Sequence, residues 1–495
     1  MCVAERPIRK LLIANRGEIA LRVIRACRAH GLAAVAIYSD VDAGALHVRA
    51  ADEAYRVGGA LPAESYLNIG AIVDVARRAG ADAVHPGYGF LSENPAFADA
   101  CAQAGLTFVG PPAEALALCG DKAATRTRAE AAGVPLLRGT GPMDDAAIQG
   151  AASALGFPLL IKAAAGGGGK GIHRVHRADD LPGALRLARG EARAAFGDDR
   201  VYLEQWLERP RHVEVQVVAD GRDAVVHLGE RDCSIQRRHQ KVIEEAPAPA
   251  LPANLREGLY RAAVAAAAAV GYRNAGTVEF LVSGSAFYFL EINARLQVEH
   301  PVTEAVTGMD LVALQLRIAS GAALSIRQSA VRLGGHAIEC RVSAEDVERD
   351  FLPWAGRIGH ALLPGGPGIR IDGALAPGME VTRYYDPLLA KVIAMGATRD
   401  EALARMSAAL REMVVTGVPT TIPFHRWAVA HPAFRAGRYD TRFVETEWAA
   451  RRPPDTRTAA LAAAVLIHRD RGRNPLLPAQ GSGEWTGAAR REGVV

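Results

Sequence analysis

Cysteine is scarce in this 495-residue sequence: six residues, none in a C-x-x-C pair. That pattern excludes a disulfide scaffold and points to reduced thiols in a cytoplasmic compartment. Neither sign of charge dominates. The 58 Lys and Arg against 54 Asp and Glu leave a formal +4, too small a surplus to suggest nucleic acid or a membrane surface as a partner. Long hydrophobic runs are missing as well. The longest bland stretch, 262–270, is nearly all alanine, lies between Arg261 and Gly271, and reads as a core helix too short to span a bilayer. The first ten residues mix charges, and the apolar run 11–14 is too short for the core of a secretory signal. Two phosphate-binding signatures are absent: the first strand–helix turn has no G-x-G-x-x-G, and no Walker A motif occurs. What remains, at 49% hydrophobic, 23% charged and 6% aromatic residues, is the composition of an ordinary globular chain of one to three domains.

The opening third alternates strand and helix patterns. Residues 11–14, 34–38, 81–85 and 106–109 read as strands, with helices after 17 and around 69–78. That order predicts a parallel sheet. After Gly110-Pro111-Pro112 the texture changes. A helix containing Asp121-Lys122, strands at 157–162, 201–206, 212–219 and 225–229, and a hairpin of 277–282 with 286–292 suggest antiparallel strands mixed with helices. A third region from about 334 to 444 holds further strands and a helix at 399–414. A tail follows Pro453-Pro454.

Three stretches carry chemistry. In 291–299, Glu291, Asn293, Arg295, Gln297 and Glu299 alternate with apolar residues. Extended, they put five polar groups on one face. The hairpin about Gly284 brings Glu279 roughly opposite Glu291 on that face. Two such carboxylates are tolerated in a buried site only if one is protonated or a cation sits between them. With Asn293 the set is all hard oxygen, suited to Mg²⁺ or Mn²⁺, which completes its shell with nucleotide phosphates. Second, the run 166–171 (GGGGKG) follows a strand ending in Lys162, where phosphate is a natural counter-charge. Third, 230–241 (ERDCSIQRRHQK) is dense in donors, readable either as a solvated loop or as a site wall. Cys233 within it reads as a packed thiol. His173, His176, His227 and His336 read as surface or satisfied core residues.

Together these stretches resemble the biotin carboxylase family of the ATP-grasp superfamily. The likeness rests on IANRGEIALRVIRACR (13–28), HPGYGFLSEN (85–94), FVGP (108–111), GDK (120–122), IKAAAGGGGKGI (161–172), ERPRHVEVQV (208–217), ERDCSIQRRHQKVIEEAPAP (230–249), GTVEF (276–280), EINARLQVEHPVTE (291–304) and YYDPLLAKV (384–392), and it covers about residues 8–445. It implies a mixed α/β and α+β ATP-grasp fold. The expected parts are an N-terminal Rossmann-like domain over 1–119, an ATP-grasp domain over 120–325 with a mobile lid at about 135–205, a C-terminal biotin carboxylase domain over 334–445, and a tail or linker over 446–495.

The resemblance also implies roles. Lys122 and Lys162 would bind ATP, with Gly168 and Gly169 closing over the phosphates. Glu204 and Leu207 would hold adenine, with Gln205 and Trp206 between them, and His212, Gln236 and His239 would line the nucleotide site. Glu279, Glu291 and Asn293 match metal ligands. Lys241, Arg295, Gln297 and Val298 match a bicarbonate pocket, Glu299 a general base, and Arg341 the residue holding the biotin enolate. In the implied reaction ATP activates bicarbonate as carboxyphosphate, which carboxylates biotin on a carrier protein. Three positions depart from the family pattern: Ala294 for a hydroxyl residue, Gln205 for lysine, and Trp354 for a small residue. No Ala-Met-Lys-Met segment of a biotin carrier occurs, so the expectation is a stand-alone subunit, most simply of acetyl-CoA carboxylase. It would work with a separate biotin carboxyl carrier protein and a carboxyltransferase subunit, as a homodimer. Propionyl-CoA, methylcrotonyl-CoA and pyruvate carboxylases share the domain. The competing readings are another ATP-grasp ligase, joining a carboxylate to an amine, and a non-catalytic nucleotide-binding regulator.

Overall fold

Leu11, Leu12 and Ile13 are completely buried, each contributing about 1.5–3 kcal/mol by leaving water. In the computed structural model, which describes residues 7–164, 171–222 and 224–451, they lie in the strand Lys10–Ile13. This strand is the centre of a five-stranded parallel sheet ordered Glu53–Gly58, Ala33–Ser39, Lys10–Ile13, Ala83–His85, Thr107–Phe108. Side chains alternate between two cores, as a parallel sheet covered on both faces requires. Leu11 and Ile13 pack with Ile19, Val23 and Ile24 of the helix Gly17–Ala29, and Leu12 packs with Ile72, Val75 and Phe97. The strand Glu53–Gly58 was not among the expected ones; half-exposed and carrying charges at both Glu53 and Arg56, it lacks an apolar run.

The first turn is tied to the Gly-rich loop after Ala83–His85. Asn15 Nδ2 donates to the carbonyls of Pro86 (2.7 Å) and Tyr88 (2.8 Å). Gly87, at φ 66°, leaves room for that amide: a Cβ would stand 2.9 Å from Asn15 Nδ2.

The helix Lys122–Ala131 is capped by Asp121, whose side chain accepts from the Ala124 N–H; the cap fixes Lys122 in the first turn. A three-stranded antiparallel sheet (Ile172–Val175, Leu159–Ala163, Val201–Gln205) packs on the helices Asp145–Leu155 and Leu181–Phe196 through Ile148, Leu159, Ile161, Leu185 and Leu203. The Ala-rich stretch lies in the buried helix Ala253–Ala269.

The largest element is an eight-stranded antiparallel sheet, ordered Ala286–Asn293, Arg273–Ser283, Arg211–Asp220, Val225–Arg237, Gln240–Ala246, His336–Ser343, Leu388–Gly396, Ile369–Gly373. Its hydrogen bonding runs without a break from the middle of the chain into the third region. The helix Arg399–Glu412 ends two residues before the expected 414. The chain divides into the compact units Met1–Thr446 and Glu447–Val495. Most of the expected tail, and with it the second unit, lies outside the described residues. Among the described residues no helix is long and apolar enough to cross a membrane.

One local expectation fails, and one of two open readings is set aside. The alternation from Glu291 to Glu299 is not one strand: Ala286–Asn293 ends at Asn293, and Glu299 is the N-cap of the helix His300–Thr307. The 230–241 stretch is not a loop. The strand expected at 225–229 continues to Arg237 and turns through Arg238 and His239, both at positive φ (49° and 66°), into Gln240–Ala246. Residues 230–236 are all buried. Their polar groups face one another across strands, which composition alone mistakes for solvation.

Candidate active site

The hairpin Arg273–Ser283/Ala286–Asn293 pairs Ser283 with Ala286 around a two-residue turn. Counting back from that turn would set Glu279 against Leu290. A bulge between Glu279 and Phe280 inserts one residue and brings Glu279 directly opposite Glu291. Their carboxylates share a face, while Ile292 points into the core. Each is held by an ammonium: Lys241 Nζ is 2.7 Å from Glu279 Oε1, and Lys122 Nζ is 3.0 Å from Glu291 Oε2. Burial alone would raise both carboxyls, but these lysines, with His212 at Glu279, hold each at about 2. Asn293 Oδ1 accepts from Arg295 Nη2 at 3.3 Å. Two ionised, opposed carboxylates with an amide oxygen two residues on are an all-oxygen donor set that fits a hard divalent cation such as Mg²⁺. His212, Glu214 and Glu279 also bring one ligand atom each within 4.8 Å of one another, but Arg231 and Lys241 already neutralise Glu214.

Lys241 joins this hairpin to the rest of the site. Its Nζ lies 2.5 Å from Glu214 Oε2 and 2.7 Å from Glu299 Oε1, besides Glu279. Burial disfavours the ammonium, yet three carboxylates push its pKa well above the ordinary value. Glu299 is fully buried between Lys241 and Arg341, whose Nη2 is 2.8 Å from Glu299 Oε2. Burial raises the Glu299 carboxyl, and the two cations outweigh it, so the group stays ionised. Cys233 Sγ lies 3.8 Å from Glu299 Oε1, and its thiol is pushed up by burial and nearby carboxylates; it packs as a neutral group.

Arg295 is fixed by Glu93 of the N-terminal loop, with Nε to Glu93 Oε2 at 2.8 Å. Glu93 Oε1 also accepts from the Ala294 N–H at 2.9 Å, so the departure at 294 leaves the backbone anchored. Gln297 is buried, and its Nε2 has no hydrogen-bond partner among the described residues. The Val298 carbonyl accepts from the buried Lys391 Nζ at 2.8 Å.

The nucleotide-side residues are brought together in part. His212 Nε2 is 2.8 Å from Glu279 Oε2, and Gln236 Nε2 donates to His212 Nδ1 at 2.7 Å. His239 is an exposed turn residue. Lys162 finds a carboxylate where phosphate was expected: it pairs with Glu204, which also accepts from Arg126 at 2.7 Å. Gln205 ends its strand and donates its N–H to the Arg138 carbonyl at 2.8 Å. Trp206 is covered by Arg174, 4.4 Å from the ring centre. Leu207 follows just beyond the strand. Gly168 and Gly169 lie outside the described residues. Trp354 is 37% exposed beside the strand Leu352–Pro353; no contact explains the large residue there.

Several members of the site escaped sequence reasoning. Arg231 is completely buried; its guanidinium lies 2.5 Å from Glu214 Oε1 and donates to Gln216 Oε1, Thr303 Oγ1 and Thr277 Oγ1. It thereby braces the carboxylate that braces Lys241. Glu93, Glu214 and Glu244 were likewise unforeseen. The family-like motifs contain all four, but no local pattern marks a residue whose partner is tens of residues away.

The chain is similar to known proteins over most of its length. Residues 7–116 match the family described as biotin carboxylase, N-terminal domain; 121–327 match the carbamoyl-phosphate synthase L chain, ATP binding domain; and 339–446 match the biotin carboxylase C-terminal domain. The chain is 50% identical over 443 residues to biotin carboxylase 1 of Bacillus subtilis, covering 89% of this chain and 98% of that one. It is 49% identical to a pyruvate carboxylase subunit of Methanothermobacter thermautotrophicus, covering 88% and 89%. Among solved structures it resembles the biotin carboxylase domain dimer of Hydrogenobacter thermophilus 2-oxoglutarate carboxylase in complex with MgADP, ADP and bicarbonate. There the TM-score is 0.86 at 45% identity, over 89% of this chain and 98% of that chain.

Proposed function

We propose, from the premise that this chain belongs to the biotin carboxylase family of ATP-dependent ligases, that it carboxylates biotin on a separate carrier protein as the first half-reaction of acetyl-CoA carboxylase, in fatty acid biosynthesis. The observation carrying the chemistry is the burial of Glu299 between Lys241 and Arg341, since Lys241 reaches the carboxylate hairpin and Arg341 the opposite side.

In this reading Lys122 and Lys162 bind the ATP phosphates, Lys162 exchanging Glu204 for phosphate. Glu204 to Leu207, His212, Gln236 and His239 flank the nucleotide, and Gly168 and Gly169 cover it. Mg²⁺ or Mn²⁺ held by Glu279, Glu291 and Asn293 would neutralise charge on the transferring phosphoryl group. Arg295, Lys241, Gln297 and the Val298 backbone orient bicarbonate for in-line attack, Gln297 with an amide N–H free to donate. Glu299 takes the bicarbonate proton; ionised and walled by fixed cations, it is a base whose position is set before substrate arrives. Carboxyphosphate then breaks to CO₂ and phosphate, the phosphate removes the ureido N1 proton of biotin, and N1 adds to the CO₂ while Arg341 donates to the enolate oxygen. A homodimer serving a carrier protein and a carboxyltransferase subunit completes the proposal, supported by the dimeric Hydrogenobacter relative.

The test is transfer of label from bicarbonate to free biotin with ATP and Mg²⁺. Carboxybiotin and ADP are expected only when bicarbonate is present; ATP cleavage that needs an amine instead of bicarbonate would refute the reading. Offering the labelled carrier and the co-purified carboxyltransferase acetyl-CoA, propionyl-CoA, methylcrotonyl-CoA and pyruvate in turn identifies the acceptor, expected to be acetyl-CoA.

A further inference from the structure

Arg341 reaches the site from the strand His336–Ser343, where its carbonyl is fixed by Thr421 Oγ1 at 3.0 Å and His425 Nε2 at 2.6 Å. Its guanidinium is held differently. Nε is buried without a hydrogen-bond partner among the described residues, while Nη2 lies between two carboxylates, Glu299 Oε2 at 2.8 Å and Glu244 Oε1 at 2.6 Å. Glu244 comes from the neighbouring strand Gln240–Ala246, where it pairs with Glu339. Arg341 lies two residues beyond Glu339, so all three side chains share one face of the sheet. Glu244 and Glu339 have no exposed surface.

We propose that Glu244 is the positioning residue for Arg341, holding its guanidinium in place while Glu299 carries the proton taken from bicarbonate. The argument rests on the functional reading above and on charge counting. Before proton transfer Arg341 has two anionic contacts. Once Glu299 is protonated it is neutral, and Glu244 is the one anion left within contact distance among the described residues. The enolate is generated in that state. A long side chain with an unpartnered Nε and no anion to lean on loses its orientation when the donor must be aimed.

The surroundings fit. Facing Glu244 are Arg341, Glu299, Lys241 and Glu339. Burial pushes the Glu244 carboxyl up and Arg341 opposes that rise, so the 2.6 Å ion pair with Arg341 is what favours the carboxylate at this buried position. Burial raises the Glu339 carboxyl well above the ordinary range. Among the described residues Arg341 makes its ion pair in this strand pair with Glu244, and none with Glu339. The bicarbonate side does not touch Glu244: Lys241 binds Glu214, Glu279 and Glu299.

The test compares Glu244→Gln, Glu244→Asp and Glu339→Gln in the full-length protein. Two rates are followed: bicarbonate-dependent ATP cleavage without biotin, and carboxylation of free biotin. Glu244→Gln should keep the first within about threefold while losing at least about tenfold in the second, with KM for biotin raised and KM for ATP and bicarbonate unchanged. Glu244→Asp should recover part of the loss, and Glu339→Gln should leave both rates near wild type. Equal loss of both rates in a variant with the wild-type melting temperature, or undiminished biotin carboxylation, overturns the assignment. If Glu244→Gln does not fold, Glu244→Asp decides, since an unaltered KM for biotin there has the same force. Failure of the functional reading would look different: wild-type protein would cleave ATP with no need of bicarbonate.

Discussion

Replacing Glu299 by glutamine keeps the side-chain shape and removes one negative charge from the middle of the site. Glu299 Oε1 faces Lys241 at 2.7 Å and Oε2 faces Arg341 at 2.8 Å. Stripping one partner from a buried ion pair typically costs about 3–5 kcal/mol. Here neither cation is left alone: Lys241 keeps Glu214 and Glu279, and Arg341 keeps Glu244. The stability loss should therefore fall below that range, at about 1–2 kcal/mol, and thermal melting should show a folded protein. The loss in rate should be much larger. A positioned general base contributes about 10²–10⁴-fold, and no other ionised carboxylate lies between Lys241 and Arg341 among the described residues to replace it. The nucleotide side is untouched, because Lys122 and Lys162 pair with Glu291 and Glu204 instead. ATP cleavage measured against bicarbonate, without biotin, should fall by about 10²–10⁴ with KM for ATP changed less than about threefold. A folded Glu299→Gln protein retaining wild-type turnover would refute the reasoning.

Three further outcomes follow from the same contacts. Arg341→Ala should depress biotin carboxylation about 10²-fold or more while sparing biotin-independent ATP cleavage; equal losses in the two assays would contradict a role confined to the enolate. Glu93→Gln, which weakens the grip on Arg295 Nε, should raise KM for bicarbonate about tenfold with KM for ATP unchanged, as read from initial rates over a bicarbonate series. Glu245 tests the wider frame. Burial would raise its carboxyl, but Arg399, bound by two hydrogen bonds of 2.7 and 2.9 Å, and His336 hold it at about 2. Because the folded value lies below the unfolded one, this stabilisation is complete above about pH 4.5 and is lost as pH falls toward 2, with a magnitude of about 2–3 kcal/mol. Urea unfolding should show Glu245→Gln well below wild type at pH 7 and the gap shrinking at pH 3; a gap independent of pH would contradict the ion-pair account.

How far the sequence foretold the site depended on how local each relation was. The opposition of Glu279 and Glu291 was readable only roughly: the two-residue turn alone would set Glu279 against Leu290, and the bulge that brings it opposite Glu291 left no mark in composition. The parallel sheet was readable from alternating apolar strands and helices, except for Glu53–Gly58, whose charges disguise it. The stretch 230–241 stayed open between solvated loop and site wall because dense polar residues normally mean solvent; here Arg231 meets Glu214, and Asp232 meets Arg211, across strands. Glu244 and Arg341 are nearly a hundred residues apart, and only the pairing of Gln240–Ala246 with His336–Ser343 reveals their contact. Lys162 shows the converse: burial correctly demanded a counter-charge, but a protein carboxylate supplies it in the structure.

The most direct test of the whole account is a crystal grown with Mn²⁺ and a non-hydrolysable ATP analogue, with the metal located by its anomalous signal. The account predicts an ion bound by carboxylate oxygens of both Glu279 and Glu291, with Lys241 no longer paired to Glu279 and Lys122 no longer paired to Glu291. An ion held elsewhere, with Glu279 and Glu291 still paired only to lysines, would contradict it.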